Sequence, residues 1–189
     1  MLLRRAKANE MLQNWELAKE DLDKILLLEP RNSEAQGMLK GITGRLDDLL
    51  FKKYQEEANG FLKAKKFQEA LQTYEKCLKI TRKATTLDNI AVYVNKIACL
   101  LSMDRLAQVV QECNDCIRLI RNFRNRFEVK GADAERLKGF ELRVSIRRGN
   151  ALGKLQRTSE AIQEYERALK IDPGNLTVER DLEALRKLK

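Results

Sequence analysis

At 189 residues the chain is long enough to bury one compact core or to build a short solenoid. It is 43% hydrophobic, 6% aromatic and 34% charged with only two prolines, a balance that suits helices packed through Leu, Ile and Ala under charged outer faces. The net charge of +9 predicts an anionic partner, the lack of histidine excludes ordinary Ser-His and Cys-His catalysis, and no apolar run reaches the ~20 residues of a membrane span, so a cytoplasmic, non-enzymatic chain with no signal peptide is expected.

Residues 1 to 40 read as one helical hairpin plus the start of a following helix. They recur at the other end of the chain at a constant offset of 143 residues, without a gap over about forty positions. Arg147-Arg148-Gly149 falls on Arg4-Arg5-Ala6, Ala161 on Ala18, Leu169 on Leu26, Ile171 on Leu28, Asp172-Pro173 on Glu29-Pro30, and Asn175 on Asn32. A repeated hairpin predicts a stacked array, because each unit buries its apolar face only against a neighbour. The expectation is a chain that starts inside such an array, so residues 1–48 read as the last repeat and capping helix of an upstream set and the whole as a piece of a longer protein, the alternative being a natural short protein with one orphan repeat. Trp15 sits at the first hairpin turn and is expected to pack between helices.

Ser33 is the expected N-cap of the next helix, with Gln36 three residues on completing a capping box. Gly37, Gly41 and Gly44 weaken that helix by roughly 1 kcal/mol each relative to Ala. It is either a close-packed cap or a pliable link, and it runs on from Leu49 with no proline to break it. Residues 51–81 form the next hairpin, marked by Ala58, Phe61, Ala70, Tyr74 and Cys77. Residues 82–89 lack periodicity and predict a turn, with Asp88 or Asn89 capping the helix after it.

The third hairpin spans about 90–120, with Ile97 and Val109 where small residues are usual. Ala70 to Val109 is 39 residues and Val109 to Ala161 is 52. The extra length lies in 121–139, read either as helix extensions about a turn near Gly131 or as a flexible loop. The last hairpin comes next, then a second cap with Leu176, Leu182 and Leu185 facing inward. Cys113 and Cys116 make a lone C-x-x-C. With no second pair and no histidine a metal site is not expected, and both thiols read as small hydrophobes facing a neighbouring hairpin.

Within 143–173, Gly149 allows close helix approach, Ala161, Tyr165 and Ala168 share a face, and Pro173 stands just past the last turn. Small, small, aromatic, small, proline at these spacings resembles the tetratricopeptide repeat (TPR). The resemblance implies an all-α TPR superhelix, an α-α solenoid of stacked antiparallel hairpins. Residues 49–189 then look like the three-repeat TPR unit, with a C-terminal cap, of heat-shock co-chaperones.

That family's carboxylate clamp holds the acidic C-terminal EEVD tail of 70-kDa and 90-kDa chaperones. By resemblance its members here are Asn59 in EEAN, Asn95 in YVNKIA, and Arg143 and Arg147 in RVSIRRG, while Gln55 stands where the family has a Lys. Gln55 loses a positive charge, and Lys52 or Lys53 would have to reach in. The implied partner is a chaperone tail peptide, with no cofactor, metal or membrane. Runners-up are another protein client, including subunits of complexes such as dynein arms, which the long insertion resembles, and self-association through the first repeat.

Ten Lys or Arg against four Asp or Glu between 118 and 148 carry six of the nine net charges. Phe123, Phe127 and Phe140 interleave with them, which keeps RNA in view behind protein partners.

Overall fold

A computed structural model describes residues 1–81 and 85–187. The described residues form helices only: α1 (Leu2–Met11), α2 (Trp15–Leu28), α3 (Ser33–Lys63), α4 (Phe67–Ile80), α5 (Leu87–Ser102), α6 (Leu106–Arg126), α7 (Gly131–Lys154), α8 (Thr158–Ile171) and α9 (Leu176–Lys187). The chain divides into two compact units, Met1–Tyr54 and Gln55–Lys189, with the last turns of α3 in the second. The expected all-α solenoid is the fold found. The turn expected at 82–89 falls partly on residues 82–84, which lie outside the described residues.

Every hairpin closes in the same way. Gln13, Lys65, Asp104 and Gln156 all take left-handed φ between 56° and 61°. The amide after each donates back to a carbonyl five residues earlier: Asn14 to Asn9, Lys66 to Phe61, Arg105 to Leu100 and Arg157 to Leu152. This is the Schellman helix ending, usually built on glycine. Here non-glycine residues adopt it, and the next helix starts at once.

In the first unit the core is Ala6, Ala18, Leu22, Ile25, Ala35 and Ile42, with Trp15 packed half-buried at its edge under the Arg45 guanidinium, 4.6 Å from the ring centroid. Asn32, not Ser33, caps α3: its Oδ1 accepts from the Ala35 amide at 3.0 Å, while Gln36 donates to the Pro30 carbonyl. The asparagine wins because it stands one position earlier, where its short side chain reaches the third helical N–H. α3 is a continuous helix through Gly37, Gly41 and Gly44, and a Cβ at any of the three would meet nothing within 4 Å. These glycines are not sites of close packing.

In the second unit, Thr86 caps α5, accepting from the Asn89 amide at 3.2 Å, so neither Asp88 nor Asn89 serves as the cap. The stretch 121–139 consists of helix extensions. α6 runs to Arg126, residues 127–130 make the connection, and Gly131 opens α7 with φ 56°. Ile97, Val109, Cys113 and Cys116 are all buried at the α5–α6–α7 junction. The cap α9 turns Val178 and Leu182 onto Tyr165 and Ala168, with Leu185 packed half-buried beside them. Leu176, expected inward, is 77% exposed, because it sits in the first turn on the face opposite Val178 and Leu182.

Candidate functional site

Three helices of the second unit bring the candidate residues together. On the last turns of α3, Asn59 Oδ1 accepts from Tyr74 Oη of α4 at 2.6 Å and from Asn95 Nδ2 of α5 at 3.1 Å. One residue before Asn95, the Val94 carbonyl accepts from Arg147 Nη1 of α7 at 2.6 Å. Asn59, Asn95 and Arg147 therefore lie along one wall built from α3, α5 and α7. Arg143, one turn before Arg147, is exposed. Its Nε donates to the Gly139 carbonyl at 3.0 Å and its guanidinium lies 5.3 Å from the Phe140 ring centroid. Gln55 is half-buried, and its side chain makes no hydrogen bond with the described residues.

Burial, and then the charge of Arg143, push the Arg147 guanidinium below its ordinary pKa. Among the described residues neither arginine is in an ion pair, although most other arginines of this unit are. Two adjacent cations, one half-buried and held by a backbone carbonyl, make a place where an anion gains more than it would on open surface.

The tyrosines are what sequence reading missed. Tyr74 Oη holds the Asn59 amide, and Tyr165 Oη holds the Asn150 amide of α7 in the same manner at 2.5 Å. Both pairs are fifteen residues apart, a spacing that was there to be read. Burial raises both phenols to about 12, so they stay protonated donors at any physiological pH. Asn150 and Tyr165 also line a hollow of about 540 Å³ with Leu101, Gly153, Lys154, Asp181, Ala184 and Leu185.

The thiols are buried, and burial raises Cys77 and Cys99 to about 11, Cys113 to about 12 and Cys116 further still. Cys113 Sγ donates to the Val144 carbonyl of the next hairpin at 3.8 Å. Thiols held protonated this firmly are poor nucleophiles and poor ligands. No group of three or more Cys, Asp or Glu among the described residues is placed to hold a metal. No described helix is long and apolar enough to cross a membrane. In the basic stretch, Arg124 makes a two-pronged contact with Glu141, Arg118 pairs with Asp115 and Arg136 with Asp88. Phe123 and Phe140 are packed away, leaving only Phe127 of the three open as a stacking surface.

Residues 143–175 match the family model for the tetratricopeptide repeat. The DnaJ homolog subfamily C member 7 homolog of Dictyostelium discoideum is 25% identical over 89% of this chain and 27% of its own length. Dynein axonemal assembly factor 4 of Rattus norvegicus is 26% identical over 71% of this chain and 28% of its own. The chain thus spans only about a quarter of these relatives. Among solved structures, an Arabidopsis OM64 TPR domain superposes with a TM-score of 0.59 at 22% identity, covering 76% of this chain and 99% of that one. The first TPR of Spaghetti (RPAP3), bound to the HSP90 peptide SRMEEVD, gives 0.57 at 21% identity, covering 73% and 91%. Matched family model, matched fold and repeated hairpins agree: residues 143–175 carry a tetratricopeptide repeat, and the chain has the all-α fold of TPR domains and resembles those of the chaperone-binding kind.

Proposed function

We propose that the wall formed by Asn59, Asn95, Arg143 and Arg147 binds the acidic C-terminal tail of a heat-shock chaperone of the 70-kDa or 90-kDa class. The observation that carries this is Arg147, a half-buried guanidinium with a carbonyl partner and no acid beside it. Burying a charge without a counter-charge costs stability, and an incoming carboxylate would remove that cost while forming charge-assisted bonds. Asn59 and Asn95, already linked to each other, supply amide groups for the rest of the chain end. The Spaghetti TPR domain was solved with a peptide of this kind, which supports the reading through likeness of fold. Gln55 contributes no charge, so this grip depends more heavily on the two arginines. Within this reading residues 49–189 act as the three-repeat binding unit, residues 1–48 as a separate repeat with its cap, and the work is done in the cytoplasm as part of chaperone-assisted assembly.

Calorimetry with SRMEEVD tests it. The free acid should bind, and both the C-terminal amide and Arg147→Ala should weaken binding by about tenfold or more. A second reading, a scaffold that binds an internal segment of a client, draws on the likeness to the dynein assembly factor. Acid and amide forms binding alike would favour it over the first.

A further inference from the structure

The hairpins α1–α2 and α7–α8 carry the same ion pair across the same 16 residues, and they complete it differently. In the first, Arg5 donates to Asp21 twice, from Nε to Oδ2 at 2.7 Å and from Nη2 to Oδ1 at 2.5 Å. In the second, Arg148 reaches Glu164 through one bond, Nη1 to Oε1 at 2.8 Å. Arg167 Nη1 stands 3.4 Å from that same oxygen. The two atoms that would make a second prong, Arg148 Nε and Glu164 Oε2, are buried and have no partner among the described residues. A third such atom is Ser145 Oγ. Ser145 is 1% exposed and stands three residues before Arg148 on α7, on the side toward which a long helical side chain leans. A helical serine can bond the carbonyl one turn back, and this one does not. The neighbouring thiol, Cys113 Sγ, is committed to the Val144 carbonyl. The first hairpin has Leu2 where the second has Ser145, an apolar residue packed against its core.

We propose that Ser145, Arg148 and Glu164 hold one internal water molecule between α7 and α8. The class of ligand follows from the three atoms. The guanidinium N–H only donates, and a carboxylate oxygen only accepts. A molecule that joins them accepts from the first and donates to the second. Glu164 repels an anion and Arg148 repels a cation, whereas water serves both and keeps a further bond for the serine hydroxyl. About three hydrogen bonds are the usual holding of a buried water. Confining one water costs less than leaving three enclosed polar atoms unpaired. The two differences from the first hairpin act together. Glu164, one methylene longer than Asp21, leaves its second oxygen off the guanidinium, and Ser145, shorter than Leu2, supplies both room and a hydroxyl. The site does not depend on what the wall binds.

Crystals of the 189-residue chain, refined with solvent, and one variant test this. One water should lie within about 2.7–3.2 Å of Ser145 Oγ, Arg148 Nε and Glu164 Oε2. No density between those three atoms would overturn the proposal, as would Arg148 meeting both oxygens of Glu164 directly in the manner of Arg5 and Asp21. Ser145→Ala gives an independent sign. A serine hydroxyl with no bond is a burden, so its removal from a helix would raise the urea midpoint. A hydroxyl bonded to the water is an asset, and Ser145→Ala should then lower the midpoint and raise the unfolding constant about fivefold. An unchanged or raised midpoint would remove Ser145 from the site and overturn the three-point reading.

Discussion

Gly149 and Tyr165 meet more closely than any side chain on Gly149 would allow. A Cβ at Gly149 would lie 2.7 Å from Tyr165 Cε1 and 2.9 Å from Cδ1. In the first unit the same two positions hold Ala6 and Leu22, both fully buried. A flat ring edge in one copy takes the space that a methyl and a branched aliphatic share in the other. Gly149→Ala is therefore expected to cost about 1–3 kcal/mol through overpacking, because the ring is pinned by its bond to Asn150. Urea unfolding would read this as a lowered midpoint with little change in slope. A midpoint equal to that of the unaltered protein would mean the helices separate more easily than the structure indicates.

The same pairing of copies governs the charges. Arg5 to Asp21 and Arg148 to Glu164 are one α–α contact in two units, at the same offset of 143. Asp21 offers both oxygens to Arg5, whose side chain is 61% exposed. Glu164, 5% exposed, reaches Arg148 with one oxygen, and its Oε2 and Arg148 Nε have no partner among the described residues. A longer acid in a more enclosed place gives a less complete bond. Alignment of the two copies made the pairing legible from the sequence. The difference in geometry was not, because it depends on one methylene of reach and on how enclosed each pair is.

At the scale of elements, the hairpins were legible and several of their ends were not. Periodic Ala, Leu and Tyr positions gave the buried faces of α2, α4 and α8 directly. Turns that close on Gln13, Lys65, Asp104 and Gln156 carry no glycine to announce them. A left-handed non-glycine costs about 1 kcal/mol or more, and the Schellman bonds and stacked helices offset it. Asn32 and Asn175 cap α3 and α9 in the same way, bonding the Ala35 and Val178 amides, so the constant offset pointed to asparagine rather than Ser33. Asn59, Asn95, Arg143 and Arg147 were named by resemblance, but the tyrosine bonds to Asn59 and Asn150 were not, because a fifteen-residue spacing gives no hydroxyl direction until the two helices of a hairpin are paired.

α3 makes a testable case. Its glycines stand in mid-helix with nothing near and ordinary helical backbone, so they have no packing role to protect. Gly41→Ala is expected to stabilise the protein by roughly 0.5–1 kcal/mol, from helix propensity and reduced unfolded-state entropy. Thermal unfolding of Gly37→Ala, Gly41→Ala and Gly44→Ala would show each midpoint rising. A fall at any one of them would mean that the position is used by something beyond helix formation.

For the whole molecule, charge separates two contributions to binding an acidic tail. Under the proposed function the net +9 would act at long range and draw an anionic peptide inward, while Arg147 would act at contact from its half-buried position. Salt screens the first far more than the second, since the screening length falls from about 10 Å at 0.1 M to about 3 Å at 1 M. The association rate of SRMEEVD should therefore drop several-fold between about 50 mM and about 500 mM salt, with a smaller change in the dissociation rate. Arg147→Ala should do the reverse, raising the dissociation rate sharply while leaving the salt dependence of association nearly intact, because it removes a single charge and the more buried of the two in the wall. Stopped-flow kinetics with a labelled peptide distinguishes these cases. A dissociation rate that climbs with salt as steeply as the association rate falls would mean that the tail rests on exposed cations, and that Arg147 is a structural strut between α7 and Val94 rather than the seat of the carboxylate.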